Sequence, residues 1–325
     1  MRRTVAGVLS SLCLAALLAG CVGGAGDPWE SDPWEGERPE RLTIATGGTS
    51  GIYHGYGQEL AAVLEERYGI ETEVLTTGGS VDNLQLLADG AADVAFSAAD
   101  AVTDAVDGAG DFDEPVEVQA LARVYDDFAH LVVPADSDVE DLGDLRGLRV
   151  SLGAPRSGTS LIAGRVLQAA DVPASDLRVA ELGITESVAA LRSGSLDAVF
   201  WSGGLKTPGI VELAEEMPIR LIPLAGVVDE LRRIHGRGYR HGVVPEGIYG
   251  VTENVETLAV PNILVAGPGL PDAVAHGLVQ TAFDARAEIA ASVPSAALLE
   301  RSRAIYTDPA DLQPGALRYY RETKP

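Results

Sequence analysis

Cysteine is almost absent from this chain: of 325 residues only Cys13 and Cys21 carry a thiol, and both lie in the first twenty-one positions. From Val22 onward nothing can form a disulfide, a thiolate metal site or a cysteine nucleophile, so the cores alone must hold the fold. Positive charge is also scarce. Lys and Arg number 24 against 48 Asp and Glu, a formal net charge of -24, which repels phosphate backbones and excludes nucleic-acid binding. Aromatic residues make up 5%. Enzyme signatures are missing too: there is no Gly-x-Ser-x-Gly elbow, no Ser-x-x-Lys and no His-Glu-x-x-His. Gly55-x-Gly57 lacks the third glycine and the preceding strand of a dinucleotide fingerprint. Gly153-x-x-x-x-Gly158-Thr159 lacks the lysine of a phosphate-binding loop. No cofactor is expected.

What is present begins with a leader. Arg2 and Arg3 precede the apolar run Val5 to Leu18, and Leu18-Ala19-Gly20-Cys21 follows it. That order reads as a lipoprotein signal peptide over residues 1–20, with lipidation at Cys21. Its removal takes two arginines and no acids, leaving a chain near -26. Residues 21–40 hold the near-tandem Asp27-Pro28-Trp29-Glu30 and Asp32-Pro33-Trp34-Glu35 and read as a solvated tether. An extracytoplasmic, membrane-anchored domain is the implied location.

Beyond the tether one pattern occurs twice. Leu42–Thr46 runs into Gly47-Gly48-Thr49-Ser50-Gly51 and a helical segment. Arg149–Gly153 runs into Ala154-Pro155-Arg156-Ser157-Gly158-Thr159 and another. Each copy closes on Leu-x-x-Gly-x-x-Asp-x-x-Phe: Leu87, Gly90, Asp93 and Phe96, then Leu191, Gly194, Asp197 and Phe200. A strand, a small-residue loop and a helix start expose backbone N–H groups at a positive dipole end. Two such spots facing across a cleft make a clamp for a small anionic or zwitterionic ligand. Asp93 and Asp197 suit turn or cap roles better than acid–base work.

Strand and helix signals alternate from Arg41, the pattern of parallel α/β units in two lobes. Expected strands include Val118–Arg123 and Phe128–Val133 as two separate elements, then Thr257–Ala259 and Asn262–Ala266 as another two. The tail is expected as helices over 271–292, 295–305 and 314–321. A third loop, Thr76 to Leu84, offers Ser80 as an N-cap with Asn83 one turn on. Tyr53 falls at a helix entrance beside Ser50, and Trp201 and Tyr249 adjoin glycine-rich turns. His235 and His241 share an expected basic loop with Arg232, Arg233, Arg237 and Arg240.

These residues resemble the TAXI family, the solute receptors of one branch of TRAP transporters. The resemblance rests on Ala45 to Tyr53, Thr77 to Leu84, Gly90-x-x-Asp93-Val94-Ala95-Phe96, Gly153-Ala154-Pro155-x-Ser157-Gly158-Thr159 and the Asp197-to-Gly204 segment. It continues in Ala259-Val260-Pro261 and in Pro314-Gly315-Ala316-x-Arg318-Tyr319-Tyr320. It implies an α/β, periplasmic binding protein type II-like fold, with two lobes joined by crossing strands and a ligand cleft between them. Residues 41–127 plus 258–325 would form lobe 1, and 128–257 lobe 2. It implies capture of a small carboxylate-bearing solute, such as glutamate or a relative, and delivery to a TRAP membrane permease without catalysis. The expected ligand contacts are Gly48, Thr49, Ser50, Tyr53, Ser80, Asn83, Ser157, Gly158, Thr159, Trp201, Gly204 and Lys206. The chain departs from the family in carrying Ala98 where many members have Gln, and Lys206 where proline often stands. Lys206 would favour a second acidic group on the ligand. Three rivals stay open: a receptor for an ABC permease, a sensor passing its closed state to a kinase, and an enzyme on the same two-lobed fold.

Overall fold

The computed structural model describes residues 33–323 apart from 35 and 237. The leader, the lipidation candidate Cys21, Arg237 and most of the expected tether lie outside the described residues. Among the described residues ten strands form one sheet: β1 (Arg41–Ala45), β2 (Glu71–Leu75), β3 (Val94–Ala98), β4 (Gln119–Pro134), β5 (Arg149–Ser151), β6 (Arg178–Ala180), β7 (Ala198–Gly203), β8 (Ile219–Leu221), β9 (Arg240–Val244) and β10 (Val255–Ala266). The helices in chain order are α1 (Ile52–Tyr68), α2 (Ser80–Ala88), α3 (Ala99–Asp107), α4 (Gly158–Ala169), α5 (Ile184–Arg192), α6 (Pro208–Glu216), α7 (Val228–His235), α8 (Asp272–Asp284), α9 (Arg286–Ser292), α10 (Arg301–Ala304) and α11 (Pro314–Glu322). Among the described residues no helix is long and apolar enough to cross a membrane.

The sequence repeat is a structural repeat. In the first half β1 pairs in parallel with β2 and β3, giving the order β2-β1-β3; in the second β5 pairs with β6 and β7, giving β6-β5-β7. The paired aspartates do the same work in both copies. Asp93 accepts from Thr43 N–H at 2.8 Å, and Asp197 from Arg149 N–H at 2.8 Å. Each carboxylate thus ties the first strand of its copy to the third. In the second copy the Arg149 guanidinium adds a fork on Asp197 at 2.9 and 2.5 Å and holds that carboxyl below the usual range. α1 shows why such segments become helices. Ile52, Tyr56, Leu60, Val63 and Leu64 recur at helical spacing on its buried side, and Gly69 ends it in a left-handed conformation that Gly adopts freely (φ 67°).

β4 and β10 join the halves, lying antiparallel to each other between β3 and β7. Both are single long strands where sequence reading expects broken pairs. The two expected breaks lie side by side: Pro261 stands opposite Asp126, and Val260 opposite Asp127. Tyr-Asp-Asp reads as a turn and Pro as a strand end, yet here the strands continue. Asp126 is satisfied by a bidentate Arg123 (2.5 and 2.8 Å), and register shifts on either side of the Ile263–Leu264 pair absorb the irregularity. The expected lobe boundaries at 127/128 and 257/258 fall inside these two strands.

Three other expectations change. The 271–292 helix divides into α8 and α9 at Ala285, and 295–305 forms a 3-10 turn plus the short α10. Part of the basic loop is strand β9, where Arg240 and His241 pair with Ala259 and Leu258 of β10. Pro33 and Trp34 belong to the folded body rather than to a solvated tether. Trp34 is fully buried, edge-on to Tyr68 at 5.4 Å, and it fills the space above Gly277 of α8. Glycine is needed there, because a Cβ at 277 would come within 2.4 Å of the indole.

Candidate functional site

Four helix starts point into one cavity of about 80 Å³ between the two halves of the sheet. α1 begins after Gly51, α2 after Gly79, α4 after Ser157 and α5 after Gly183; their first residues Ile52, Ser80, Gly158 and Ile184 all line the cavity. Three of the four caps are glycines with no side chain to occupy the free N–H groups. Gly79 holds φ 126°, which a side chain rarely adopts, and a Cβ on Gly158 would stand 2.6 Å from the Ser80 hydroxyl. Small residues here let the α2 and α4 starts meet. The result is a ring of positive dipole ends, suited to an anion.

The floor is different in kind. It is the middle of β4, where Tyr125 and Asp127, two residues apart, share one face of the strand. Asp127 is 4% exposed, and its Oδ1 has no hydrogen-bond partner; Ser202 donates to Oδ2 at 3.4 Å. Burial pushes this carboxyl up to about 8, with Asp100 and Asp126 adding to the rise while Asn262 and Ser202 oppose it. The Tyr125 hydroxyl is likewise buried without a partner. Tyr53 stacks on Phe96 at 5.5 Å; its hydroxyl donates to Asn262 Oδ1 and lies 3.2 Å from Ser80 Oγ. Burial raises both phenols well above their ordinary value, so they stay protonated. None of the residues lining the cavity is Lys, Arg or His.

Of the expected contacts, Gly48, Tyr53, Ser80, Ser157, Gly158, Thr159 and Trp201 line this cavity, and five do not. Asn83 is fully buried beneath the third loop. It donates to the carbonyls of Thr46 (2.6 Å) and Phe96 (2.8 Å) and accepts from Thr77 (2.6 Å), so its polar atoms are spent on the scaffold. Gly204 is packed among Ser295, Ile52 and Tyr125 rather than facing the cavity. Lys206 is exposed in a left-handed turn (φ 62°). Thr49 lies off the cavity wall, and Ser50 reaches across the mouth to Thr185 on α5, oxygen to oxygen at 2.6 Å. Ser80 is the first helical residue, not the cap. Its hydroxyl accepts from Ala98 N–H at 3.1 Å, whereas Ser157 is a true cap for Ser160 N–H at 3.0 Å. Thr159 accepts from Ser202 N–H at 3.1 Å, and Trp201 donates to Thr207 at 3.0 Å with its ring beside Gly51.

Sequence reading missed Asp127, Tyr125 and the α5 start. The last had a signal: Gly183 follows β6 as Gly79 follows β2, making it the second copy of the third loop. Asp127 had none, since Asp126-Asp127 looks like a turn.

A second bridge crosses the mouth beside α2. Arg156 pairs with Asp82, and Asp82 N–H donates to the Arg156 carbonyl at 3.1 Å. With Ser50–Thr185, this holds the two halves together over the cavity. Among the described residues no group of three or more His, Cys, Asp or Glu is placed to hold a metal.

Two halves of one repeat, two crossing strands and a cleft floored by those strands define the periplasmic binding protein type II-like class. The chain belongs to the NMT1-like family, whose model matches residues 44–323. Solved structures agree on the fold. One from Bordetella bronchiseptica RB50 is 20% identical, covering 86% of this chain and 88% of that one, with a TM-score of 0.52. A binding protein component of an ABC phosphonate transporter from Pseudomonas aeruginosa is 14% identical over 81% and 80%, at 0.51. The zinc-bound ligand-binding component of an ABC-type import system from Staphylococcus aureus is 10% identical over 86% and 89%, at 0.50.

Proposed function

We propose that this protein is an extracytoplasmic solute receptor without a catalytic cycle, capturing a small carboxylate-bearing solute in the cleft between its lobes. One observation carries the reading: four helix starts, two from each half of the repeat and three of them capped by glycine, border the same cavity. A carboxylate there meets fixed donors that need no reorganisation. The cavity's size matches an amino acid rather than a nucleotide. About 10–15 Å³ of such space admits one water, so about 80 Å³ suits a solute of roughly five to eight non-hydrogen atoms. The residues around it supply hydroxyls, backbone amides, one buried acid and the apolar walls of Ile52, Ile184 and Trp201. Of those hydroxyls Ser202 alone reaches the acid, at a long 3.4 Å, and the lining holds no histidine or lysine to complete a catalytic pair, which argues against the enzyme reading.

The lobes, 41–127 with 258–325 and 128–257, would close about the middle of β4 and β10, and the mouth bridges Ser50–Thr185 and Asp82–Arg156 would form on closure. The motifs shared with the TAXI family favour a TRAP permease as the partner that receives the closed form. Delivery to an ABC importer is the second reading, favoured by the import-system binding components that share this fold. Lipidation at Cys21 would keep the receptor on the outer face of the membrane.

Thermal-shift screening of the lipid-free domain against amino acids, keto acids, dicarboxylates and amines tests the receptor reading. A true ligand at a hundredfold excess over its Kd adds about 2.7 kcal/mol of stability. A panel in which nothing shifts the melting temperature would overturn it. Uptake of the identified solute with either permease type then separates the two partners.

A further inference from the structure

Resting on that receptor reading, we infer that the solute is zwitterionic, its carboxylate facing the helix starts and its ammonium group held against Asp127. The rim answers only half of the site's chemistry. At the floor, Asp127 Oδ1, an acceptor, and the Tyr125 hydroxyl, a donor and acceptor, stand in the cavity wall, buried, on one face of β4 and without partners; the Asn262 amide, outside the lining, neighbours Asp127 from β10. A buried polar atom left unpaired costs about 1–3 kcal/mol, so a site that keeps two of them is shaped for a group arriving with the solute. An ammonium group supplies three N–H donors and one positive charge. A second carboxylate on the solute would instead keep Asp127 from ionising and would find no lysine, arginine or histidine in the lining to offset its own charge. This reverses the expectation from Lys206, which is exposed and outside the cavity lining.

The other charges around Asp127 are already neutralised or cannot ionise near neutrality. Asp126 on the same strand is bound by Arg123. Asp100 on α3 accepts from Tyr239 at 2.8 Å and lies 3.7 Å from Arg165, which also forks onto Asp104 at 2.6 and 2.7 Å. Tyr53 from α1, Tyr125 from β4 and Tyr249 from the turn 248–250 are phenols held protonated by burial. The neighbours Ser202 and Asn262 are neutral, so the positive charge that Asp127 lacks is left for the ammonium group to bring.

Binding carries a proton consequence. Below about pH 8 the empty site holds Asp127 as the neutral acid. When the ammonium docks, the carboxyl O–H bond breaks, the proton leaves to solvent, and the carboxylate–ammonium pair remains. The amino acid binds more tightly as pH rises toward 8, by about tenfold per unit when one proton is released.

Calorimetry at pH 6.0, 7.0 and 8.0 in two buffers of different ionisation heat tests this. The probes are L-glutamate and L-alanine, each against its amine-free counterpart, glutarate and propionate. Expected is a preference of at least about 100-fold for an amino acid over its counterpart, with release of one proton at pH 7. Asp127→Asn should narrow that preference to under about tenfold and flatten the pH profile. Glutarate or propionate binding as well as its amino acid, or affinity falling as pH rises, overturns the inference while leaving the receptor reading intact. An Asp127→Asn protein that keeps the full preference also overturns it. Failure of every amino acid, acid and amine to bind defeats the receptor reading and this inference with it. Should the variant not fold, the wild-type proton count and the paired probes decide alone.

Discussion

The rim and the floor of this cleft are built on opposite principles. The rim is backbone: four helix starts, glycine at three caps, and hydroxyls already bonded to the scaffold. The floor is side chain: an acid and a phenol on one strand, each keeping an unsatisfied atom under burial. A backbone rim depends on close approach and tolerates hydroxyl loss. A side-chain floor depends on particular atoms and on pH. The difference tells which half of a ligand each region reads, and substitutions can break the contrast.

The largest expected effect is at the rim. Gly158→Val places a branched side chain where even a Cβ stands 2.6 Å from Ser80 Oγ, separating the α2 and α4 starts. Overpacking costs about 1–3 kcal/mol, and borne by the bound form it should lower solute affinity roughly 5- to 150-fold in calorimetry while circular dichroism stays native. Affinity within twofold of wild type would mean that the rim is not the contact.

At the floor, Asp127→Asn should raise stability in the empty protein. The folded carboxyl titrates near 8 against 3.8 unfolded, so its contribution is full below about pH 4 and is lost as pH rises to 8. At pH 8 the variant should therefore melt several degrees higher than wild type, with the two converging near pH 4. A wild-type protein more stable at pH 8 than its variant would contradict the buried-acid account.

His130, further along β4, gives the opposite slope. It is 1% exposed, both ring nitrogens lack partners, and burial lowers it to about 4. Its neutral form is the folded one, so stability is held above pH 6.5 and lost as pH falls toward 4, by up to about 3 kcal/mol. His130→Leu should flatten that acid limb in a melting series.

Smaller still is the mouth. Ser50→Ala removes one hydrogen bond to Thr185, worth about 1 kcal/mol, and should speed solute release about fivefold in stopped flow. Lys206→Ala should change affinity less than twofold, because the side chain lies exposed and outside the lining.

The same contrast explains what could be read in advance. Rims are written in residue types with few other uses. Gly47 to Gly51 and Gly153 to Thr159 announced strand-loop-helix junctions, and the Leu-x-x-Gly-x-x-Asp-x-x-Phe repeat marked equivalent halves. Floors are written by tertiary context. Asp126-Asp127 and Pro261 each suggest a chain break; only their pairing in adjacent strands, with Arg123 neutralising Asp126, lets the strands run through. Asn83 failed in the opposite direction. An amide one turn into a helix reads as a ligand donor until the Thr46 and Phe96 carbonyls are seen to claim it.

The most direct measurement is a crystal structure of the protein with the solute that screening identifies, refined finely enough to orient it. Its carboxylate should lie within hydrogen-bond distance of N–H groups at the starts of α1, α2, α4 or α5, with a nitrogen against Asp127 Oδ1. A solute bound outside the cleft, or one seated with its carboxylate on Asp127 and no donor there, would contradict it.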